Sequence, residues 1–351
     1  DANQVAARMY DLQFFAKLKE DTLGFQADGS LYRFHTDAHD GFMLNIDQLY
    51  QEKGKARRSA LSVSQDLGKH MMAIVDKYAA YTGKGGLSFA NVANAPEYAE
   101  FMGIAHELQK VSLTGLSQDE LKSFFLNIYN TLVFHSQIVI CMGILKLPNS
   151  SPSSQQGIVV EELTWGRLGY IIDNNKFSLH EILHCILRGN RKAPKRKGIK
   201  LFSKHDPRLV YSLQALDPRI HFALINGHRS STPIAVFSSE TIEADLKFVT
   251  ENFLDAEVEV DKINKELILP RVIDIYFSDF GKSDAVVVKW MQENAGPNVK
   301  EDLNIVFSHK LNMKIKYSVY DWDLCSAIIS QAEEPAENDT TSEESGSEED
   351  D

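Results

Sequence analysis

Five residues, His180-Glu181-Ile182-Leu183-His184, satisfy the HExxH pattern, in which two histidines one helical turn apart hold zinc and the glutamate acts as base. Three features weigh against zinc. Ser178 and Glu181 have capping-box spacing, which gives the glutamate a structural task at a helix start. That start places His180 in the first turn. The residues that follow, RGNRKAPKRK, form a basic loop with no third ligand. No cofactor is therefore expected, with zinc on His180 and His184 as the alternative. The favoured reading is a polar helix face of Glu181, His184 and Arg188.

A second group lies in the apolar run 118–147, a helix expected to be buried because Phe124, Phe125, Leu126, Ile128, Leu132 and Val133 cover all its sides. Asn127, Asn130 and Thr131 share one face of it. A buried amide without a partner costs about 1–3 kcal/mol, so these side chains must meet polar groups inside the domain. They either tie helix to sheet or floor a polar pocket, and the structural reading is slightly preferred. His135 stands at the edge of the same helix. His221 lies in LDPRIHFALI, an apolar run that reads as a strand. Asn127, Asn130, His135, Glu181, His184, His221 and Ser231 are thus the ligand-binding candidates, and no residue is assigned a catalytic role.

The loop after the HExxH string packs Arg191, Lys192, Lys195, Arg196, Lys197 and Lys200 into ten residues. Aromatic residues are not interleaved, so nucleic acid is not the expected partner. An anionic membrane surface, a protein partner or the chain's own acidic tail fits the charge, against a background expectation of a solvated loop.

These groups need a scaffold, and the pattern supplies an α+β one. A helix is read at 5–20, then a hairpin in FQADGSLYRF turning at Asp28-Gly29. Helices follow at 56–80, 94–110 and 118–147, the last opening on a Ser117/Glu120 capping box. Strand GYII, a turn at 173–176 and a short helix at 178–189 come next, then strand IHFALI, helix 239–254, strands near 257–260 and 266–269, further helices to about 309, and KIKYSVYDW. The expectation is a helix-rich α+β domain with a small, mainly antiparallel sheet.

No apolar run approaches the ~20 residues needed to span a bilayer, and no signal peptide is evident. The absence of an initiator Met reads as a piece of something longer. Cys141, Cys185 and Cys325 are few and scattered, as in a reduced compartment. Residues 333–351 hold ten carboxylates and no Lys or Arg, so they carry ten of the chain's twelve net negative charges. That tail is expected to be disordered.

Several blocks resemble the domain-of-unknown-function family numbered 547: FFLNIYNTLVFH (124–135), FSLHEILHCILRGNRKAP (177–194), LDPRIHFALINGHRSSTPI (216–234), VFSSETIEADLKFVTENFL (236–254), LILPRVIDIYFSDFG (267–281) and YDWDL (320–324). RGNRKAP and YDWDL are most similar to the eukaryotic branch, in which the domain follows a DEP domain and sometimes a glutaredoxin domain. The resemblance implies residues 1–45 as the end of a DEP-like winged helix, 46–332 as the family domain and 333–351 as the tail. It also invites comparison with papain-like and transglutaminase-like proteins, where a helix carries Cys and a strand carries His. Here the helix offers Asn. Many bacterial relatives have Cys in the loop after the His strand, where this chain has Ser230 and Ser231. The expectation is a cytoplasmic signalling or scaffold module, peripheral at membranes where it meets them, binding a protein or a small polar or anionic ligand. The alternative is a hydrolase or transferase, zinc-dependent or with a degenerate papain-like site.

Overall fold

A computed structural model of the chain describes residues 15–17, 32–34, 42–46, 57–79, 89–141, 166–193, 201–225, 234–308 and 313–319. The acidic tail, Cys325, Ser230, Ser231, Lys195, Arg196, Lys197 and Lys200 lie outside these residues, as does most of 1–45.

The class is α+β and helix-rich, with small mixed sheets. Strand β1 (Phe15–Lys17) pairs antiparallel with β2 (Tyr32–Phe34), Phe15 opposite Phe34. This corrects the helix read at 5–20. The correction holds for residues 15–17; the rest of 5–20 and the turn read at Asp28-Gly29 lie outside the described residues. Strand β3 (Phe42–Met43) runs parallel to β4 (Leu168–Ile172), which pairs antiparallel with β5 (Asn175–Ser178). The β4–β5 turn is made by Asp173 and Asn174, both at positive φ (48° and 58°), as a tight turn matched to strand twist requires. Gly169 in β4 faces the Phe177 carbonyl so closely that a Cβ would stand 2.4 Å from its oxygen.

Helix α1 (Ala60–Ala79), the short α2 (Phe89–Ala93) and α3 (Pro96–Glu107) pack around α4 (Gln118–Cys141). The expected capping box opens α4: Glu120 Oε2 accepts from Ser117 N at 2.7 Å, and Ser117 Oγ accepts from Glu120 N at 3.3 Å. Leu67, Met71, Phe101, Phe125, Tyr170 and Phe177 sit in the first core around this helix.

The short helix α5 (Ile220–Ala223) replaces the strand expected around His221. Local chemistry explains the correction. Asp217 Oδ1 accepts from Arg219 N at 3.1 Å, and Pro218 stands at the helix entry, where its missing N–H costs nothing. A second core follows, built on α6 (Ile242–Glu257), strands β6 (Glu259–Asp261) and β7 (Glu266–Leu269), the short helices α7 (Arg271–Ile275) and α8 (Phe277–Phe280), α9 (Asp284–Asn294), α10 (Pro297–Ser308) and β8 (Lys314–Tyr317). Its sheet has the order β6-β7-β8, with one antiparallel and one parallel pairing. Helix α5 bridges the cores. Ile220 and Ala223 belong to the first, while Phe222 enters the second against Phe253, Phe280 and Trp290. His221 therefore stands where the two cores meet. Among the described residues no helix is long and apolar enough to cross a membrane.

Candidate functional site

The HExxH string from Glu181 onward falls in a π-helix, Glu181–Leu187, with His180 at its N-cap. Arg188 N reaches back five residues to Leu183 O at 3.0 Å, and Asn190 N to Cys185 O at 3.1 Å. Such wide turns often occur at functional sites. The expected capping box is present, with Glu181 Oε2 accepting from Ser178 N at 2.9 Å. The other oxygen of Glu181 meets Arg208 at 3.0 Å. This carboxylate is engaged in holding the helix start.

Arg188 is the hub of the buried polar cluster, with its side chain 1% exposed. Nε donates to Asp279 Oδ2 at 2.6 Å and Nη2 to Asp279 Oδ1 at 2.8 Å, a fork-on-fork pair. Nη1 donates to His184 Nδ1 at 2.8 Å and to the Lys192 carbonyl at 3.1 Å. A guanidinium cannot accept, so His184 Nδ1 must, which fixes His184 as the neutral Nε2–H tautomer. Asp279 also accepts from His221 Nε2 at 2.9 Å. The His221 ring stacks on Tyr276, centroids 4.0 Å apart, and the Arg188 guanidinium lies over the same ring, 5.3 Å from its centroid.

Electrostatics follow from this geometry. Burial pushes the Asp279 carboxyl up, but hydrogen bonds from Arg188 and His221 outweigh it and hold the group well below the usual carboxylate range. Burial lowers the basicity of His221, and the Asp279 carboxylate only partly offsets that. The result is a neutral imidazole on an ionised carboxylate whose charge is shared with a guanidinium.

The other candidates are placed differently. Asn127 Nδ2 donates to Phe237 O, and Asn127 Oδ1 accepts from Phe237 N, both at 2.8 Å. Asn130 does the same with Ala223 O at 2.9 Å and Ile225 N at 3.0 Å. Both amides are committed to backbone, and together they pin the segment after His221 to α4 at its two ends. Asn190 repeats the device, pairing with both Phe202 N and Phe202 O at 3.0 Å across the base of the basic loop. His135 is apart from the cluster: its Nδ1 is 2.9 Å from the Tyr170 hydroxyl, with Tyr98 and Phe101 rings edge-on. His184 and His221 converge on the Arg188–Asp279 pair; Asn127, Asn130 and His135 do not. Arg191 and Lys192 have exposed side chains.

His180 lies near His184, ring centroids 6.0 Å apart, but the guanidinium on His184 Nδ1 sets a positive charge beside any cation placed there. Among the described residues no group of three or more His, Cys, Asp or Glu is arranged to hold a metal ion. Cys185 is buried, which pushes its thiol up to about 12 and suppresses thiolate chemistry.

Sequence reasoning marked Arg188 on the polar face but passed over Asp279 and Tyr276. The available signal was an Asp inside the aromatic run IYFSDF, since a carboxylate in such surroundings needs a partner.

No curated protein and no solved structure matches the chain. A family model matches part of it, taking in α4, the π-helix and His221 and ending before Tyr276 and Asp279. Residues 113–254 are thus the stretch similar to the family described as "Protein of unknown function, DUF547"; it takes in the four blocks between 124 and 254, while those at 267–281 and 320–324 lie beyond it.

Proposed function

We propose that the chain is an intracellular signalling or scaffold module that binds an anionic membrane surface through the loop opening at Arg191 and Lys192. In this reading residues 1–45 end a DEP-like domain, the parent chain is of the glutaredoxin-associated kind, and the protein works in the cytoplasm. The observation that carries it is the loop's root. Arg188 Nη1 holds the Lys192 carbonyl at 3.1 Å, and Asn190 closes the loop base on Phe202, while the Arg191 and Lys192 side chains stay exposed. Cations presented from a fixed stem lose less entropy on binding than cations on a free strand. The backbone bonds of Asn127 and Asn130 move the binding surface away from an Asn/His-lined pocket and toward these cations.

Each cation near an anionic surface is worth about 1 kcal/mol, so the double variant Arg191→Glu/Lys192→Glu should weaken vesicle binding by roughly tenfold or more. Co-sedimentation of the full chain with phosphatidylserine-containing vesicles reads this, against phosphatidylcholine vesicles and high salt as controls. Equal binding to both vesicle types, or an unaffected variant, would refute the reading. Capture of an acidic peptide without vesicle binding would place the partner among proteins instead.

A second reading, hydrolase or transferase, is favoured by one observation. His221 donates Nε2–H to Asp279 at 2.9 Å, which leaves Nδ1 as its basic nitrogen, the arrangement of a general base oriented by a carboxylate. Ser231, ten residues on, would be the nucleophile. Turnover of an activated ester that is lost in both His221→Ala and Ser231→Ala would support this reading. Turnover unchanged in either variant would remove it.

A further inference from the structure

We propose that the outward face formed by Pro207 and Val210 is an apolar anchor that enters the surface of an anionic bilayer beside the basic loop. The inference rests on the membrane reading above and deepens it. It names a bilayer, rather than a soluble anion or an acidic peptide, as what the cations meet.

Residues Pro207–Tyr211 form a 3₁₀ helix, capped at its start by Asp206 Oδ1, which accepts from Arg208 N at 2.9 Å. In such a helix positions i and i+3 stand one above the other, so Pro207 and Val210 share a face. That face looks outward: Pro207 is exposed, and Val210 is 72% exposed. The other positions turn inward. Leu209 and Tyr211 pack on the first core, and the Arg208 guanidinium lies 4.2 Å from the centroid of the Phe202 ring. A lone exposed apolar side chain is ordinary. Two on one face, next to cations, have the composition of a membrane-surface anchor.

The turn is held in place from several sides. Ser212 Oγ donates to Cys185 O at 2.6 Å and Leu213 N to Ile186 O at 3.0 Å, which fastens its far end to the π-helix. Arg208 reaches the Lys176 carbonyl, Glu181 and Asp206. On the near side Phe202 is paired with Asn190, the neighbour of Arg191. A turn fixed in this way loses little entropy on entering a surface.

Charge selects the partner. Lys176, Arg191, Lys192 and Lys204 are exposed, and among the described residues none of the four has an ion-pair partner. The carboxylates bonded into this segment are engaged elsewhere. Asp206 and Glu181 meet Arg208, and Asp173 accepts from Leu113 N and the Tyr211 hydroxyl. Cations around an apolar ridge suit lipid headgroups lying over acyl chains, with the lysines at headgroup depth and Val210 below them. A soluble anion gains nothing from the ridge. Two small side chains also fall far short of the about 800 Å² per partner that a stable protein contact takes.

Binding of the full chain to vesicles of phosphatidylserine and phosphatidylcholine tests the anchor. Val210→Asn removes the apolar surface without adding charge and should weaken binding about tenfold. Val210→Trp should strengthen it, and the emission added to that of the three native tryptophans should shift to the blue on vesicles. Phe248→Asn, on α6 at 67% exposure, should bind like the wild type. Equal melting temperatures of variants and wild type exclude unfolding as the cause. Unchanged binding in Val210→Asn, or unshifted emission in Val210→Trp, overturns the anchor; the cation reading then stands if Arg191→Glu/Lys192→Glu still weakens binding. A wild-type chain that binds no vesicles overturns both.

Discussion

Asp279→Ala is expected to destabilise the fold by about 3–5 kcal/mol, the cost of leaving a buried charge without its counterion. The carboxylate side chain is 2% exposed and receives three hydrogen bonds, two from Arg188 at 2.6 and 2.8 Å and one from His221 at 2.9 Å. Its removal strands a guanidinium that is itself 1% exposed, between two cores that meet at this pair. Apolar side chains in place of both ions should do better than one ion alone. Arg188→Met/Asp279→Leu should recover more than half of the loss, since packed replacements of buried pairs are often neutral or stabilising. The remainder comes from the groups the pair leaves behind, the Nε2–H of His221, His184 Nδ1 and the Lys192 carbonyl, at about 1–3 kcal/mol for a buried group left unsatisfied. Denaturant unfolding at pH 7 measures all three variants. A loss below about 1 kcal/mol for Asp279→Ala would mean that the site admits water and behaves like a surface pair. The sign with pH follows from the depressed Asp279 value. Its contribution is full above the ordinary carboxylate range and is lost as pH falls toward the folded-state value.

Legibility in the sequence tracked the range of the interaction. The boxes Ser117/Glu120 and Ser178/Glu181 were readable because both partners lie within one turn, and both form. Helix Ala60–Ala79 and strand Glu266–Leu269 fall where the apolar periodicity put them. The run PRIHFALI misled because a short apolar stretch has no period of its own. There the Asp217-Pro218 start signal was the better guide. Phe15–Lys17 becomes a strand by pairing with residues 15 to 19 positions away, which local propensity cannot express. The site divides in the same way. His184 and Arg188 were visible as one helix face, whereas Asp279 is 91 residues from Arg188 and 58 from His221. The need of Asn127 and Asn130 for polar partners was legible from burial alone. That the partners are the backbone of Phe237, Ala223 and Ile225 was not, since any peptide group offers the same donor and acceptor.

His135 should impose the largest single acid dependence on stability. It is 1% exposed, and its Nδ1 is 2.9 Å from the Tyr170 hydroxyl. Burial, aided by nearby His106, pushes it down to about 3. In the unfolded chain the ordinary value near 6.5 applies, so the unfolded state takes up the proton first. The contribution of neutral His135 is therefore complete above about pH 6.5 and is lost progressively as pH falls toward about 3, roughly 5 kcal/mol in all. His135→Phe separates this from the general acid lability of carboxylates. At pH 7 the variant should be about 1–3 kcal/mol less stable, because Tyr170 loses its hydrogen-bond partner. Between pH 6 and pH 4 its stability should fall less steeply than that of the wild type, by up to about 1.4 kcal/mol per pH unit, the slope of one proton. The two curves should therefore converge and then cross as the solution is acidified. Parallel curves over that range would show that His135 gains its proton as easily in the folded chain as in the unfolded one, and that the pocket of Tyr98, Phe101 and Tyr170 does not exclude its charge.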